Sequence, residues 1–150
     1  MSIFPTTILL ATDGSQEAEL ARSTAVDIAT STDSELHLVT VAPGYPSYDV
    51  NVPNVVEQLH EQAEKVLHEQ AEKVEREGGK VAQKHLRIAE RRRAQQILQV
   101  AEDIQAGLIV MGSRGRGGLR RALMGSVSDP VVRHAHCPVM IVRREKEQAA

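Results

Sequence analysis

Short apolar runs alternate along this chain with longer amphipathic stretches. Five runs of apolar or alternating residues, each bounded by turn-forming residues, are predicted strands: Thr7–Thr12, Leu36–Val41, His85–Ala89, Gly107–Met111 and Val139–Val142. The first and fourth runs are apolar throughout, which is typical of strands buried on both faces of a parallel sheet. The third alternates polar and apolar side chains, which predicts a half-buried or edge strand.

Helical periodicity predicts four helices between and after these strands. They cover about 15–30 with Ser15 as N-cap, about 54–77, a stretch from Ala94 onward, and 126–135. A segment with three prolines, 42–53, is predicted to be a surface loop. Because alternating strands and helices fit parallel strands with right-handed crossovers, we predict one α/β domain over 1–150 with a doubly wound sheet. The charged tail 143–150 is predicted to fray.

The composition narrows the possible functions. A net charge of −2, a pI near 6.3 and an aromatic content of 2% disfavour nucleic-acid binding, because polyanion attraction and stacking platforms are both lacking. No apolar stretch is long enough to cross a bilayer and no secretory signal is recognisable, so we expect a cytoplasmic protein that does not bind membranes. The single cysteine, Cys137, excludes an intramolecular disulfide and is predicted to be a buried structural residue.

The segment Gly112–Ser126, after the fourth strand, is the candidate binding site. It contains five glycines and four arginines but no acidic residue. Glycine backbones allow several N–H groups to converge on an anion, and Ser126 is predicted to open the next helix, whose first N–H groups add a second anion-binding element. Open α/β sheets bind ligands at the carboxyl ends of such strands, so we predict a phosphate site. A solvated loop without a ligand is the competing interpretation.

This segment also carries a resemblance to a known family. The run Leu108–Gly115, then nine residues, then Gly125-Ser126 resembles the Gly-x-x-Gly-(nine residues)-Gly-Ser/Thr signature of the universal stress protein family. Ile8–Ser15 and His136–Val142 are similar to the two ends of that family, so the resemblance covers nearly the whole chain. It implies a five-stranded Rossmann-like sheet of the adenine nucleotide alpha hydrolase type, with strand order 3-2-1-4-5.

In ATP-binding members the resemblance implies a nucleotide at the switch point between strands one and four. Asp13 is implied to lie near the ribose and phosphates and is the candidate ligand for a Mg²⁺ ion bound with ATP; a turn or helix-capping role is the competing interpretation. Val41 is implied to contact the adenine. The predicted nucleotide-binding residues are Ala11, Thr12, Asp13, Val41, Met111, Gly112, Ser113, Arg114, Gly115, Gly125, Ser126, Val127 and Ser128.

One segment departs from the family's pattern. After the third strand many members have Gly-Asp/Asn-Pro, whereas this chain has Glu90-Arg91-Arg92-Arg93. Bulky charged residues there would narrow the ribose side of the pocket or add contacts to phosphates. The preferred adenine nucleotide is therefore left open, with cyclic AMP as an alternative to ATP.

The sequence favours binding over catalysis. ATP hydrolysis needs a positioned base and usually more metal ligands than one aspartate, so we expect no enzyme or at most slow hydrolysis. The competing function is a nucleotide-independent interaction protein. Strand Val139–Val142 is predicted to be an apolar sheet edge, and the resemblance implies a homodimer formed by pairing two such edges; a monomer whose edge is covered by the charged tail is the alternative. The sequence indicates neither the stress nor the protein partner.

Overall fold

The fold is seen in a computed structural model that describes residues 2–44, 55–89, 91–113 and 125–143, apart from the Val56 side chain. Outside these residues lie Glu90, Arg114, Gly115, most of the predicted proline-rich loop and the predicted tail beyond Arg143. None of the described helices combines the length and the apolar character that crossing a bilayer requires.

Strands and helices alternate throughout the described residues. The strands are β1 (Thr7–Ala11), β2 (Glu35–Pro43), β3 (Val81–Ala89), β4 (Leu108–Gly112) and β5 (Val139–Val142). The helices are α1 (Gln16–Thr32), α2 (Val55–Arg76), α3 (Arg93–Asp103) and α4 (Ser128–His134). All strand pairs are parallel and the order is β3-β2-β1-β4-β5, which confirms the predicted doubly wound sheet.

The third strand begins four residues earlier than predicted, at Val81 instead of His85. Ala82, Gln83 and Lys84 are exposed, so this half of β3 lacks the apolar periodicity that marks a strand. It is held instead by backbone pairing with β2, where Leu36 pairs with Val81 before an irregularity shifts the register. An edge strand needs only one neighbour, which explains why a polar sequence adopts this structure.

Successive side chains of the central strands pack on opposite faces of the sheet. Leu10 belongs to the core cluster that packs against α1 and α2, whereas Leu9 belongs to the cluster that packs against α3 and α4. Cys137 lies at the border of the second cluster and is half-buried, less deeply than predicted, and this burial raises the pKa of its thiol. The strand ends that face α3 and α4 therefore form an apolar surface, from which the candidate site is built.

Candidate functional site

The carboxyl ends of β1, β2 and β4 meet at one edge of the sheet. Ala11 pairs in register with Val39 on one side and with Met111 on the other. Beyond the end of β1, the Thr12 N–H donates to the Val39 carbonyl oxygen at 3.0 Å, and the buried Thr40 hydroxyl donates to the Thr12 carbonyl oxygen at 2.9 Å. These bonds fix the chain where it leaves β1, next to the switch point between β1 and β4 at which the strand order reverses.

Three of the predicted residues form a continuous apolar surface at this edge. Ala11, Val41 and Met111 lie in or against the core cluster on the α3 and α4 face, and Val127 packs against the same cluster. Ala11 and Met111 are buried and Val41 is half-buried. The structure thus brings together residues from three strands and from the start of α4 that the sequence placed in one site.

Asp13 begins the turn between β1 and α1. Its Oδ1 accepts the Ser15 N–H at 2.9 Å, Gly14 has a φ of 79°, and the Ser15 hydroxyl caps α1 by accepting the Ala18 N–H at 3.2 Å. A positive φ is the reason that glycine suits the second position of this turn. The turn role of Asp13 is therefore confirmed, and the half-buried carboxylate lies at the same sheet edge as the apolar surface.

Gly112 has a packing role that the sequence did not reveal. A Cβ atom built on it would lie 2.8 Å from Glu17 Cβ and 2.9 Å from the Glu17 carbonyl carbon. Only glycine lets the first turn of α1 come this close to the end of β4. The prediction that this glycine serves the loop by freeing backbone N–H groups missed its contact with α1, because sequence spacing carries no information on approach between elements.

The glycine-rich loop is closed at its base by three residues that we call the loop clasp: Ser113, Gly125 and Ser128. The Gly125 N–H donates to the Ser113 carbonyl oxygen and to Ser128 Oγ, both at 2.8 Å, and the Ser128 hydroxyl donates to the Ser113 carbonyl oxygen at 3.1 Å. Ser128 is 2% exposed and Ser113 is 6% exposed. The Ser113 N–H in turn donates to the Val142 carbonyl oxygen at 3.1 Å, which ties the clasp to β5. These polar groups hold the protein's own backbone.

Ser126 does not open the following helix, as the sequence had predicted. Helix α4 begins at Ser128, and the side chain drawn into the clasp is that of Ser128, whereas Ser126 is exposed. The Asp129 N–H already donates to the Gly125 carbonyl oxygen, so Ser126 and Val127 form the turn that leads into α4. Within the described ranges the backbone N–H groups of these two residues donate to no acceptor.

The segment that departs from the family's pattern lines an open cleft between α3 and α4. The cleft has a volume of about 420 Å³. Its lining residues are Arg91, Arg92, Arg93, Ala94, Gln95, Leu98, Ser126, Val127, Pro130 and His134. Two of them, Ser126 and Val127, belong to the predicted nucleotide set. The sequence marked the arginines as unusual, but it gave no sign that His134 and Pro130 would face them across the cleft.

A buried pair of histidines lies on the same face of the sheet, on β2 and β3. The His37 and His85 rings stack with centroids 5.5 Å apart, and His37 Nδ1 lies 3.2 Å from His85 Nε2. Burial lowers the pKa of His85, and the nearby His37 and Arg87 lower it further against a smaller opposing effect of Asp103. No group of three or more His, Cys, Asp or Glu side chains in the described ranges is arranged to hold a metal ion.

Comparison with known proteins identifies the family. A model of the universal stress protein family matches residues 5–143. The chain belongs to this family. It is 33% identical over 145 residues to a universal stress protein of Methanocaldococcus jannaschii, covering 94% of this chain and 84% of that protein. It is 36% identical over 143 residues to a putative universal stress protein of Staphylococcus aureus, covering 93% of this chain and 84% of that protein.

Solved structures of the family share the fold. A universal stress protein from Archaeoglobus fulgidus in complex with dAMP superposes with a TM-score of 0.67 at 23% identity, covering 91% of this chain and 96% of that chain. A universal stress protein in complex with cAMP superposes with a TM-score of 0.68 at 22% identity, covering 94% of this chain and 98% of that chain. The resemblance stated from the sequence is thereby confirmed, together with its strand order.

Proposed function

We propose that this universal stress protein binds an adenine nucleotide, ATP by expectation, at the carboxyl ends of β1, β2 and β4. The observation that carries the proposal is the meeting of an apolar surface, made by Ala11, Val41 and Met111, with the clasped base of the glycine-rich loop. An apolar surface beside a few convergent polar groups is the usual composition of a small-molecule site. The fold holds dAMP and cAMP in two structurally similar proteins, which supports an adenosine ligand.

Each part of the nucleotide has a candidate partner. The adenine ring would lie against Val41 and Met111, and the Asp13 carboxylate would face the ribose and phosphates. The N–H groups of Ser126 and Val127 are the described backbone donors for a phosphate, with Arg114 and Gly115 as further candidates outside the described residues. A Mg²⁺ ion at Asp13 would take most of its ligands from phosphate oxygens and water, as is usual for this ion.

The proposed role of the nucleotide is regulatory. A single carboxylate beside the phosphates is a weak basis for hydrolysis, so turnover is expected to be slow or absent. Nucleotide binding would instead shift the conformation of the protein or its choice of protein partner. The strand β5 presents an outer edge on which Met140 is 37% exposed, and pairing of two such edges is the proposed homodimer contact. The cytoplasmic location stays a prediction.

Substitution of Val41 tests the proposed adenine site. Val41→Glu introduces a charge on the apolar surface, and we expect the affinity for ATP, measured by calorimetry, to fall about tenfold or more because a buried charge would oppose the base. Ile88→Glu is the matched control, since Ile88 is 46% exposed on the neighbouring strand and its change leaves the site untouched. Equal ATP affinities of the two variants would overturn the placement of the adenine ring.

Failure of the unsubstituted protein to bind any adenine nucleotide would favour the competing function. The chain would then act as a nucleotide-independent interaction protein through its surface. Cyclic AMP is included among the tested nucleotides, because preferential binding of it over ATP would change the ligand while leaving the site in place.

A further inference from the structure

The cleft between α3 and α4 is strongly cationic. Arg91, Arg92 and Arg93 line one side of it and His134 lies on the other, and the lining residues that the structure describes include no Asp or Glu. Across the described part of the chain, none of the three arginines forms an ion pair. The acidic residue of the first turn of α4, Asp129, pairs with Arg133 at 3.1 Å. Among the described residues, three positive charges in the lining of the cleft therefore have no acidic partner.

The backbone adds to this charge. Residues 92–95, which form the N-cap and first turn of α3, all line the cleft, and the side chain of the N-cap residue, Arg92, makes no capping hydrogen bond. Arg92 at the N-cap position has a φ of 56° and a ψ of 50°, so its side chain does not cap the helix as serine or aspartate would. The partial positive charge of a helix N-terminus favours anions, in the same direction as the arginines.

The cleft is continuous with the proposed nucleotide site. Ser126 and Val127 belong to both, and Val127 also packs against the core cluster that contains Ala11 and Met111. A nucleotide whose adenine lies on the apolar surface would thus have a cationic space beside it. The cleft volume of about 420 Å³ is enough for a group the size of a di- or triphosphate, since whole small-molecule pockets start near 300 Å³.

We propose that Arg91, Arg92 and Arg93 form an anion subsite that makes this protein prefer adenosine polyphosphates to AMP and cyclic AMP. The proposal rests on the proposed function and adds the specificity of its ligand. Arginine binds phosphate oxygens with charge-assisted and often bidentate hydrogen bonds, so each further phosphate within reach adds contacts. A segment of the type Gly-Asp/Asn-Pro at this place would supply no cation.

The test compares ATP, ADP, AMP and cyclic AMP by calorimetry on two triple variants. The first variant combines Arg91→Gln, Arg92→Gln and Arg93→Gln, which removes the three charges and keeps polar, unbranched side chains. The matched control is Lys65→Gln, Lys80→Gln and Lys84→Gln, which removes three charges from exposed side chains of α2, the α2–β3 turn and β3. We expect the arginine variant to bind ATP about tenfold more weakly while AMP and cyclic AMP change less than about twofold. The lysine variant should behave as the unsubstituted protein.

The outcomes separate the two proposals. If the unsubstituted protein binds none of the four nucleotides, the proposed function fails. If it binds them but the ratio of ATP to AMP affinity is the same in the arginine variant, the anion subsite is overturned and the nucleotide site stands. Should the arginine variant unfold, the salt dependence of nucleotide binding by the unsubstituted protein tests the anion subsite instead. Added sodium chloride should weaken ATP binding more than AMP binding, and equal slopes would overturn the subsite.

Discussion

The loop clasp and the arginine-lined cleft lie side by side but use their polar groups in opposite ways. In the clasp, Ser113, Gly125 and Ser128 are buried or half-buried, and they form hydrogen bonds with one another and with neighbouring backbone. In the cleft, Arg91–Arg93 are exposed and form no ion pair within the described ranges. The comparison teaches that residues in and beside the family signature tie the two ends of the glycine-rich segment together, whereas the segment that departs from the family's pattern lines the cleft proposed to hold phosphates.

The comparison predicts different consequences for substitution in the two regions. Changes around the clasp should lower the free energy of unfolding and the affinity together, because the site depends on the position of the loop. Changes in the cleft should alter ligand preference and leave stability within about 0.5 kcal/mol, as is usual for exposed side chains.

The largest effect is expected from Gly112→Ala. The added Cβ would meet Glu17 Cβ and the Glu17 backbone below 3.0 Å, so α1 must shift away from β4. We expect a loss of about 2–3 kcal/mol in the free energy of unfolding, measured by urea titration, with a parallel loss of ATP affinity. Gly78→Ala is the control for glycine replacement elsewhere, since its φ of 89° makes the change strained but nothing lies within 4 Å of the new atom. Unchanged stability of Gly112→Ala would contradict the packing role.

A somewhat smaller effect is expected from Ser128→Ala. This change removes one acceptor of the Gly125 N–H and the hydroxyl donor to the buried Ser113 carbonyl oxygen. We expect a loss of about 1–2 kcal/mol in the free energy of unfolding, measured by urea titration. ATP binding should weaken as well, because the clasp loses two hydrogen bonds. Ser126→Ala is the matched control, since Ser126 is exposed and outside the clasp. If both variants lose stability equally, the clasp does not distinguish them and its structural role fails.

The smallest expected effect is on the pH dependence of the free energy of unfolding, which must be known before variants of the two regions are compared. Burial lowers the pKa of His85 in the folded chain, so the unfolded chain takes up a proton more readily as pH falls below about 6.5. The contribution of neutral His85 to the free energy of unfolding is therefore full at neutral pH. It decreases as pH falls below the pKa that this histidine has in the unfolded chain. Urea titrations at several pH values should show a weaker acid dependence for His85→Gln. An identical pH dependence of the variant and the unsubstituted protein would contradict the lowered pKa of His85.

The sequence predicted the alternation of elements and the place of the site at the carboxyl ends of the strands. Apolar runs such as Leu108–Met111 are visible because burial on both faces demands them. The start of β3 at Val81 was missed because an edge strand held by backbone bonds needs no apolar pattern. The first residue of α4 was misplaced because Ser126 is a residue type that commonly begins a helix. In the structure α4 begins at Ser128 after Val127, whose side chain makes no capping hydrogen bond, and the Ser128 hydroxyl contacts Ser113.

The contacts that Gly112 and Gly125 make could not be predicted from the sequence either. The approach of α1 to Gly112 depends on a distance between elements far apart in the chain. The two acceptors of the Gly125 N–H, on Ser113 and Ser128, depend on how the two ends of the glycine-rich segment meet. Residue types revealed that glycine and serine matter at these positions. They did not reveal that the groups would bind the protein's own backbone.

Binding of an adenine nucleotide is the central claim, and extraction of the purified protein tests it most directly. The protein is denatured, the released small molecules are separated by chromatography and identified by mass spectrometry, and the same protein is then titrated with ATP in a calorimeter. The account predicts that an adenine nucleotide is released and that the emptied protein binds ATP. Release of no nucleotide, together with no heat of ATP binding, would contradict it.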